Sequence, residues 1–532
     1  MTTPTTDDHA FTREAQLAKL TAGELFDLFV VGGGATGLGV AVDAASRGYR
    51  VALCEQSDFG KGTSSRSTKL VHGGVRYLEQ GHVGLVRSAL YERGLLRQNA
   101  PHLVARLPTI VPLYRWWEPF YYRIGLAVYD LLAGRLGFGR SHRLSRAATL
   151  QRLSNLNGDG LTGGVCYFDG VFDDTRLLID LAQTAVQHGA ACANYTRVDG
   201  FLYDGPKIIG AKVTDLESGA MHTVQAKVVV NAAGPFGDAV RTLSDPDADP
   251  WIQPSQGTHI VLDRSFMRSD AAMIIPKTSD GRVVFAVPWH DRLLVGTTDT
   301  ARDDTPLEPQ PLASEIDFLL ETVAEYLTNK PTRDDIQSVF AGLRPRVKQG
   351  ESKATGKLGR DHQVRVDDAG LVTVLGGKWT TYRKMAEDCV DRCAELGRLA
   401  PAACKTASLP IVAPQSDDTT AFRHYGANAA AVRALIESDQ ALAERLDPEL
   451  LYTVGEAVWA IRHEMARTVE DVLSRRLRVL LLDAAAAMRM APRVAELIAA
   501  ERGYDATWVA DETERFNGVA RGYLASASGE RN

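Results

Sequence analysis

Cysteine is scarce in this chain of 532 residues: six, scattered as Cys54, Cys166, Cys192, Cys389, Cys393 and Cys404. Such spacing gives no disulfide framework, and the usage fits a reducing compartment. Cys389 and Cys393 could share a helix face, but no histidine or second cysteine pair completes a metal site, so no metal is expected. No run of 18 uncharged apolar residues looks like a membrane span. The first 20 residues hold no apolar core of signal-peptide type, so export is not expected. There is no basic excess either: a net charge of -6 argues against a general nucleic-acid binder. Internal repeats are absent from the pattern. With 45% apolar and 24% charged residues, the chain is an ordinary globular one, long enough for two or three domains around a large core.

The most informative stretch runs from Asp27 to Glu55. Leu28 to Val31 is an unbroken apolar run, the pattern of a strand buried on both faces. Gly32-x-Gly34-x-x-Gly37 follows at once, then an Ala- and Val-rich helix from Thr36 to Arg47, then a second strand ending at Glu55. Each glycine has its own task. Gly32 permits the tight turn, Gly34 lets backbone approach a pyrophosphate, and Gly37 lets the helix lie close on the sheet. The helix start offers unpaired N–H groups to phosphates. Glu55, 18 residues beyond Gly37, can accept hydrogen bonds from ribose hydroxyls. A Gly-rich turn in an ordinary α/β protein would leave that acid unexplained.

Residues 1–24 read as a polar leader. A loop crowded with hydroxyls follows the nucleotide unit: Thr63, Ser64, Ser65, Ser67 and Thr68, ahead of Leu70 and His72. These hydroxyls could donate to phosphate oxygens or to a flavin ring. Residues 80–106 look helical. Around 120–132, Phe120, Ile124, Val128 and Leu131 recur at helical spacing behind Pro119, with Arg135, Arg140, Arg143 and Arg146 beyond. An interfacial membrane helix and a core-packed helix both fit this stretch. Residues 165–176 open a further helix, capped by Asp173 or Asp174. Val228 to Gly234 is another buried strand with a small-residue turn. From 251 to 300 the period changes to two, the mark of an antiparallel sheet inserted into the first domain. After a helix at 313–328, the strand at 338–346 and the strand–Gly376-Gly377-Lys378–helix unit are read as the chain returning to the first domain. Pro410 and Pro414 mark a linker, and 418–525 read as all-helical.

Together these features resemble the glutathione-reductase-like flavoproteins. Within that class, 25–400 resembles the FAD-dependent glycerol-3-phosphate dehydrogenases. The resemblance is carried by Val30–Gly37, Thr63–Glu79, Arg123-Ile-Gly-Leu-x-x-Tyr129-Asp130, Asn231-Ala-x-Gly234-Pro, Gly257-x-His259, Pro288-Trp289, Gly296-Thr-Thr-Asp299, Gly342-x-Arg344-Pro345 and Gly376-Gly-Lys-x-Thr380 to Lys384. More loosely, Arg462-His-Glu464 and Arg475-Arg476 resemble that family's C-terminal domain. The implied architecture is an α/β FAD-binding fold over 25–405, interleaved with an antiparallel substrate domain (about 75–165 and 245–340), and a helical domain over 406–532.

The resemblance implies oxidation of sn-glycerol 3-phosphate to dihydroxyacetone phosphate, with hydride passing to FAD. It places FAD against Gly32, Gly34, Thr36, Gly37, Glu55, Thr63, Ser64, Ser67, Leu70, His72, Gly234, Gly377 and Thr380. It places substrate against Arg76, Tyr77, Arg344, Arg360 and Lys378. Arginine's planar fork suits phosphate oxygens. His259 and Lys378 are both candidates for the base, with Arg344 as a further catalytic candidate, and the sequence leaves the choice between His259 and Lys378 open. Membrane quinone is the implied electron acceptor, which would put the chain in the cytoplasm, peripheral on the inner face of the plasma membrane through 115–146. Oxygen as acceptor, or a related flavin oxidase of amino or 2-hydroxy acids, stays open. So does homo-oligomerisation.

Overall fold

The computed structural model describes residues 11–276, 278, 281–348, 362–412 and 422–526. Its first layer is a sheet whose centre is parallel. The strand Leu25–Val31 is fully buried from Leu28 to Val31 and pairs in parallel with Met221–Asn231 on one side and Val51–Cys54 on the other. Val372–Leu375 and Ala191–Ala193 extend the sheet in parallel, and Gln363–Val366 closes one edge antiparallel. Only a sheet covered on both faces can use such continuous apolar strands. Helix Ala35–Arg47 covers it, nearly every side chain buried, and ends at Gly48 in the left-handed region (φ 98°).

The second sheet is mostly antiparallel. Its order runs Thr300–Ala301, Ile252–Asp263, Arg292–Gly296, Val284–Trp289, Ala272–Ile275, Val104–Leu113, Gly163–Phe172, Leu70–Val71. Three local expectations change here. Residues 80–106 are not one helix: helix Val83–Asn99 stops before Pro101, and Val104 begins a ten-residue strand. Proline has no N–H to continue a helix and disfavours helical geometry in the residue before it. The helix expected from 165 begins only at Asp174, after the strand Gly163–Phe172, with the Asp173 carboxylate accepting from Arg176 N at 3.0 Å. The strand Ile336–Val347 does not return to the parallel sheet. It pairs along its whole length with Ile252–Asp263, His259 opposite Phe340.

The C-terminal part is helical, led by Val454–His463, Ala484–Arg502 and Ala506–Arg521. It grips the hydroxyl-rich loop through buried charge. Asp58 accepts from Arg475 Nε at 2.5 Å and from Arg476 Nη2 at 3.0 Å, while Lys61 bridges Glu470 and Glu308 at 2.5 and 2.7 Å. Arg66 binds Glu308 with two bonds of 2.7 Å. A buried ion pair stabilises only when every charge is matched, as here. Among the described residues all six cysteines are free thiols, and no helix is long and apolar enough to cross a membrane.

Candidate active site

The turn after Leu25–Val31 has no room for side chains. Gly32 sits at φ 109°, and a Cβ there would meet Ala232 O at 2.8 Å; at Gly37 it would meet Gly32 O at 1.9 Å. At Gly34 a Cβ would meet Ser64 Oγ at 3.1 Å, so the bare backbone leaves room for that hydroxyl at the helix start. Thr36 lies in the first turn of that helix. Glu55 is aimed by two backbone donors, Gly33 N at 2.7 Å and Ser57 N at 2.9 Å. Burial raises its pKa, and those two N–H groups oppose the rise. Gly234, at φ 57°, has nothing within 4 Å of a Cβ position. This donor set fits a dinucleotide: glycines where backbone must approach phosphate, free N–H groups at a helix start, and an oriented acid at the end of the second strand.

In the hydroxyl-rich loop, most hydroxyls are used within the protein. Thr63 Oγ1 donates to Leu343 O at 2.5 Å. Ser67 Oγ donates to Asp174 at 2.7 Å and accepts from Lys69 N at 3.0 Å. Thr68 Oγ1 meets His259 Nε2 at 2.9 Å. Ser64 Oγ accepts from Ala35 N at 3.0 Å, capping the helix and keeping its own proton to donate. The loop is thus stitched to both sheets, and Ser64 is the hydroxyl left with donor capacity toward a phosphate. Ser67 is tied to the buried Lys69–Asp174 pair and also lines the cavity beside the loop.

Beside this loop lies a cavity of about 1780 Å³. Leu70, His72, Tyr77, Gly377, Lys378 and Thr380 line one side, His259 and Arg344 another. Lys378 follows two glycines in the left-handed region, Gly376 (φ 68°) and Gly377 (φ 81°). Its Nζ sits 3.8 Å from the centroid of the Tyr77 ring, a cation–π contact. Thr380 Oγ1 accepts from His72 N at 3.3 Å. Arg344 Nη2 donates to Thr297 Oγ1 at 3.0 Å and Thr298 O at 3.1 Å. Arg76 is exposed at the rim, bonded to Gly281 O at 3.1 Å. Arg360 lies outside the described residues.

His259 is buried and stacked on Phe340 at 4.9 Å between centroids. Burial, then the charges of Arg344 and Lys69, hold its pKa well below the usual value, so the ring is neutral at pH 7. Sequence reasoning did not single out Asp299 or Arg346 as site residues, nor the bond between Thr68 and His259. Arg344 and Arg346 stand two apart in a strand, which puts both on one face; that signal was readable. Thr68 and Asp299 find their partners only through the fold.

His72 gives a pH prediction. Burial pushes its pKa down to about 4 from 6.5, against the opposing charge of Asp169. Between those values the unfolded chain binds a proton that the native ring refuses. Stability tied to neutral His72 is therefore complete above about pH 6.5 and is lost as pH falls toward 4. A His72→Gln variant should lose less Tm than the wild type across that window; parallel Tm–pH curves would show the ring is not desolvated.

A parallel sheet with a dinucleotide turn, an antiparallel sheet and a shared cavity between them define a FAD-binding oxidoreductase. The family model described as FAD dependent oxidoreductase matches residues 27–383, and the one described as C-terminal domain of alpha-glycerophosphate oxidase matches 372–508. The mitochondrial glycerol-3-phosphate dehydrogenase of Arabidopsis thaliana is 39% identical, over 98% of this chain and 90% of its own. The human mitochondrial glycerol-3-phosphate dehydrogenase is 38% identical, over 93% of this chain and 73% of its own. The solved glycerol-3-phosphate dehydrogenase of Bacillus halodurans, complexed with FAD, superposes with a TM-score of 0.80 at 28% identity, covering 97% and 98% of the two chains. The chain belongs to the FAD-dependent glycerol-3-phosphate dehydrogenases.

Proposed function

We propose that the protein oxidises the C2 hydroxyl of sn-glycerol 3-phosphate to dihydroxyacetone phosphate and passes the electrons to a membrane quinone. The observation that carries this reading is the single cavity in which Lys378, His259 and Arg344, from three separate strands or turns, face one space beside the dinucleotide turn. Gly32, Gly34, Gly37, Glu55, Ser64 and Gly234 would hold FAD, which when bound supplies the two-electron acceptor. Arg344 and Arg76 bind the phosphate, Arg344 with its fork already fixed by Thr297 and Thr298. Lys378 holds the substrate oxygen and offsets negative charge as it forms. His259 stands beside Lys378 as a candidate base: burial and the charges of Arg344 and Lys69 keep its ring neutral but weakly basic, and its Nε2 meets Thr68 Oγ1.

The outer stripe of the helix Glu118–Ala133 supports contact with a membrane. Phe120, Ile124 and Leu131 are 67%, 70% and 80% exposed, and Trp116 just before it is 80% exposed. The inner side, Leu126 and Tyr129, is packed. A core helix would not leave such a stripe in water, and Arg115, Arg123 and Arg135 flank it, as an anionic lipid surface requires. Tyr121, Ile124 and Val128 also line the cavity, so an apolar acceptor would enter from that side.

Anaerobic addition of sn-glycerol 3-phosphate to the FAD-loaded protein should bleach the flavin, while glycerol and lactate should not. Bleaching by lactate alone would overturn the assignment. The match of 372–508 to a glycerophosphate oxidase domain favours testing oxygen beside quinone as the reoxidant. An Arg344→Met variant should raise KM about 10- to 100-fold, the loss of hydrogen bonds to a charged group, with FAD retained. Loss of FAD instead would assign Arg344 to the cofactor.

A further inference from the structure

We propose that Asp299 is an internal competitor for the phosphate site: its carboxylate occupies Arg344 until a substrate phosphate displaces it, and so sets the affinity of the site. The inference rests on the reading of Arg344 as a phosphate ligand.

The Asp299 carboxylate lines the cavity and is held by three groups. Oδ1 accepts from the Ser255 hydroxyl and, at 3.3 Å, from Arg344 Nη1, and Oδ2 accepts from Arg346. The side chains of Asp299 and Arg344 are 31% and 34% exposed, so the pair faces the cleft and not the core. Burial pushes the Asp299 carboxyl up, but Ser255, Arg344 and Arg346 outweigh it and hold it below the usual carboxylate range. The group is therefore an anion, standing where an anion is to bind.

Two roles fit such a residue, and they predict opposite signs. A buttress would hold Arg344 in place, so its loss would weaken the site. A competitor would cover Arg344, so its loss would strengthen the site. The geometry favours the competitor. Arg344 keeps Thr297 Oγ1 at 3.0 Å, Thr298 O at 3.1 Å and Gln256 O at 3.4 Å without help from Asp299. The guanidinium stays aimed when the carboxylate leaves. Nor does displacement strand a charge, because Ser255 and Arg346 still hold the displaced carboxylate. A tethered group also competes at an effective concentration that no dilute free anion matches. A phosphate prevails because it brings more acceptor oxygens and more charge to the fork. Asp299 thus keeps the site from binding substrate and product too tightly to release them.

The test compares wild type and Asp299→Asn as FAD-loaded protein. The readouts are KM for sn-glycerol 3-phosphate and Ki for inorganic phosphate, with glycerol as an uncharged control. Both KM and the phosphate Ki should fall, by about tenfold, the worth of one charge-assisted bond no longer broken on binding. Inhibition by glycerol should not move. A rise in both constants would make Asp299 a buttress and overturn the inference, as would no change. If wild type is not reduced by sn-glycerol 3-phosphate at all, the phosphate reading falls and takes this inference with it. Reduction with the wrong sign in the variant removes the inference alone. Should the amide variant not fold, Asp299→Ser, smaller and still able to bond Ser255, must show the same fall.

Discussion

A Lys378→Met variant is expected to keep its FAD and to lose between about 10²- and 10⁴-fold of kcat/KM for sn-glycerol 3-phosphate, the range for removing a group that holds charge or a proton in the transition state. Methionine keeps the length and apolar stem of the side chain but removes all three donors of the ammonium. The position is built for that ammonium. Gly376 and Gly377 take left-handed backbone, a Cβ on Gly377 would strike Met385 Sδ at 2.4 Å, and the chain then turns into Trp379–Thr381. This places Nζ over the Tyr77 ring in the wall of the cavity. Cofactor retention is expected because the dinucleotide turn is a separate structure on the first strand. Rapid-mixing measurement of anaerobic flavin reduction, with FAD content measured in parallel, decides the matter. A loss below about tenfold with full FAD would leave Lys378 a wall residue and move the chemistry to His259 and Arg344.

The parts of this site that could be read from the sequence are those made by neighbours in the chain. Strand, three glycines, helix and Glu55 are local, and Gly32 and Gly37 have the crowding that the motif demands. Gly376-Gly377-Lys378 is local in the same sense. The period-two stretch after 251 showed its sheet because alternation needs no knowledge of the partner strand. The failures have the opposite character. Pro108 and Pro112 argue against a strand, yet Val104–Leu113 pairs with Gly163–Phe172 along its full length. Its other neighbour, Ala272–Ile275, meets it only at Thr109 and Ile110, so neither proline costs that ladder a donor. The strand Ile336–Val347 was read with the wrong sheet because nothing in its pattern names its partner. The bonds that the Thr63 and Thr68 hydroxyls make within the protein were equally hidden. Their partners, Leu343 and His259, lie 280 and 191 positions away, and composition alone cannot supply them. Distance along the chain also hid Asp299: an acid beside two arginines looks like a surface charge until the fold sets all three on one cleft wall.

Replacing Phe120 and Leu131 together by aspartate should free the protein from anionic vesicles while leaving it folded. Both lie on the outer stripe of Glu118–Ala133, eleven residues apart and so on the same face, and neither lines the cavity. Burying one such side chain in an apolar medium contributes roughly 2 kcal/mol, so losing two costs about 4 kcal/mol, a partition constant lower by about 10³. Two new carboxylates beside an anionic surface add repulsion to that loss, of about 1 kcal/mol each. The inner side should be untouched, since Tyr129 keeps its bonds to Asp169 at 2.6 Å and to Gly73 N at 2.9 Å. That anchor separates two outcomes. If the variant still reduces a soluble dye with sn-glycerol 3-phosphate but no longer sediments with vesicles, the stripe is the lipid contact. If it sediments as before with activity intact, the stripe is not what meets lipid. A quinone would then have to reach the cleft by some route other than the side lined by Tyr121, Ile124 and Val128. The same helix forms both the exposed stripe and part of the cavity wall, so attachment and access to an apolar acceptor stand or fall together.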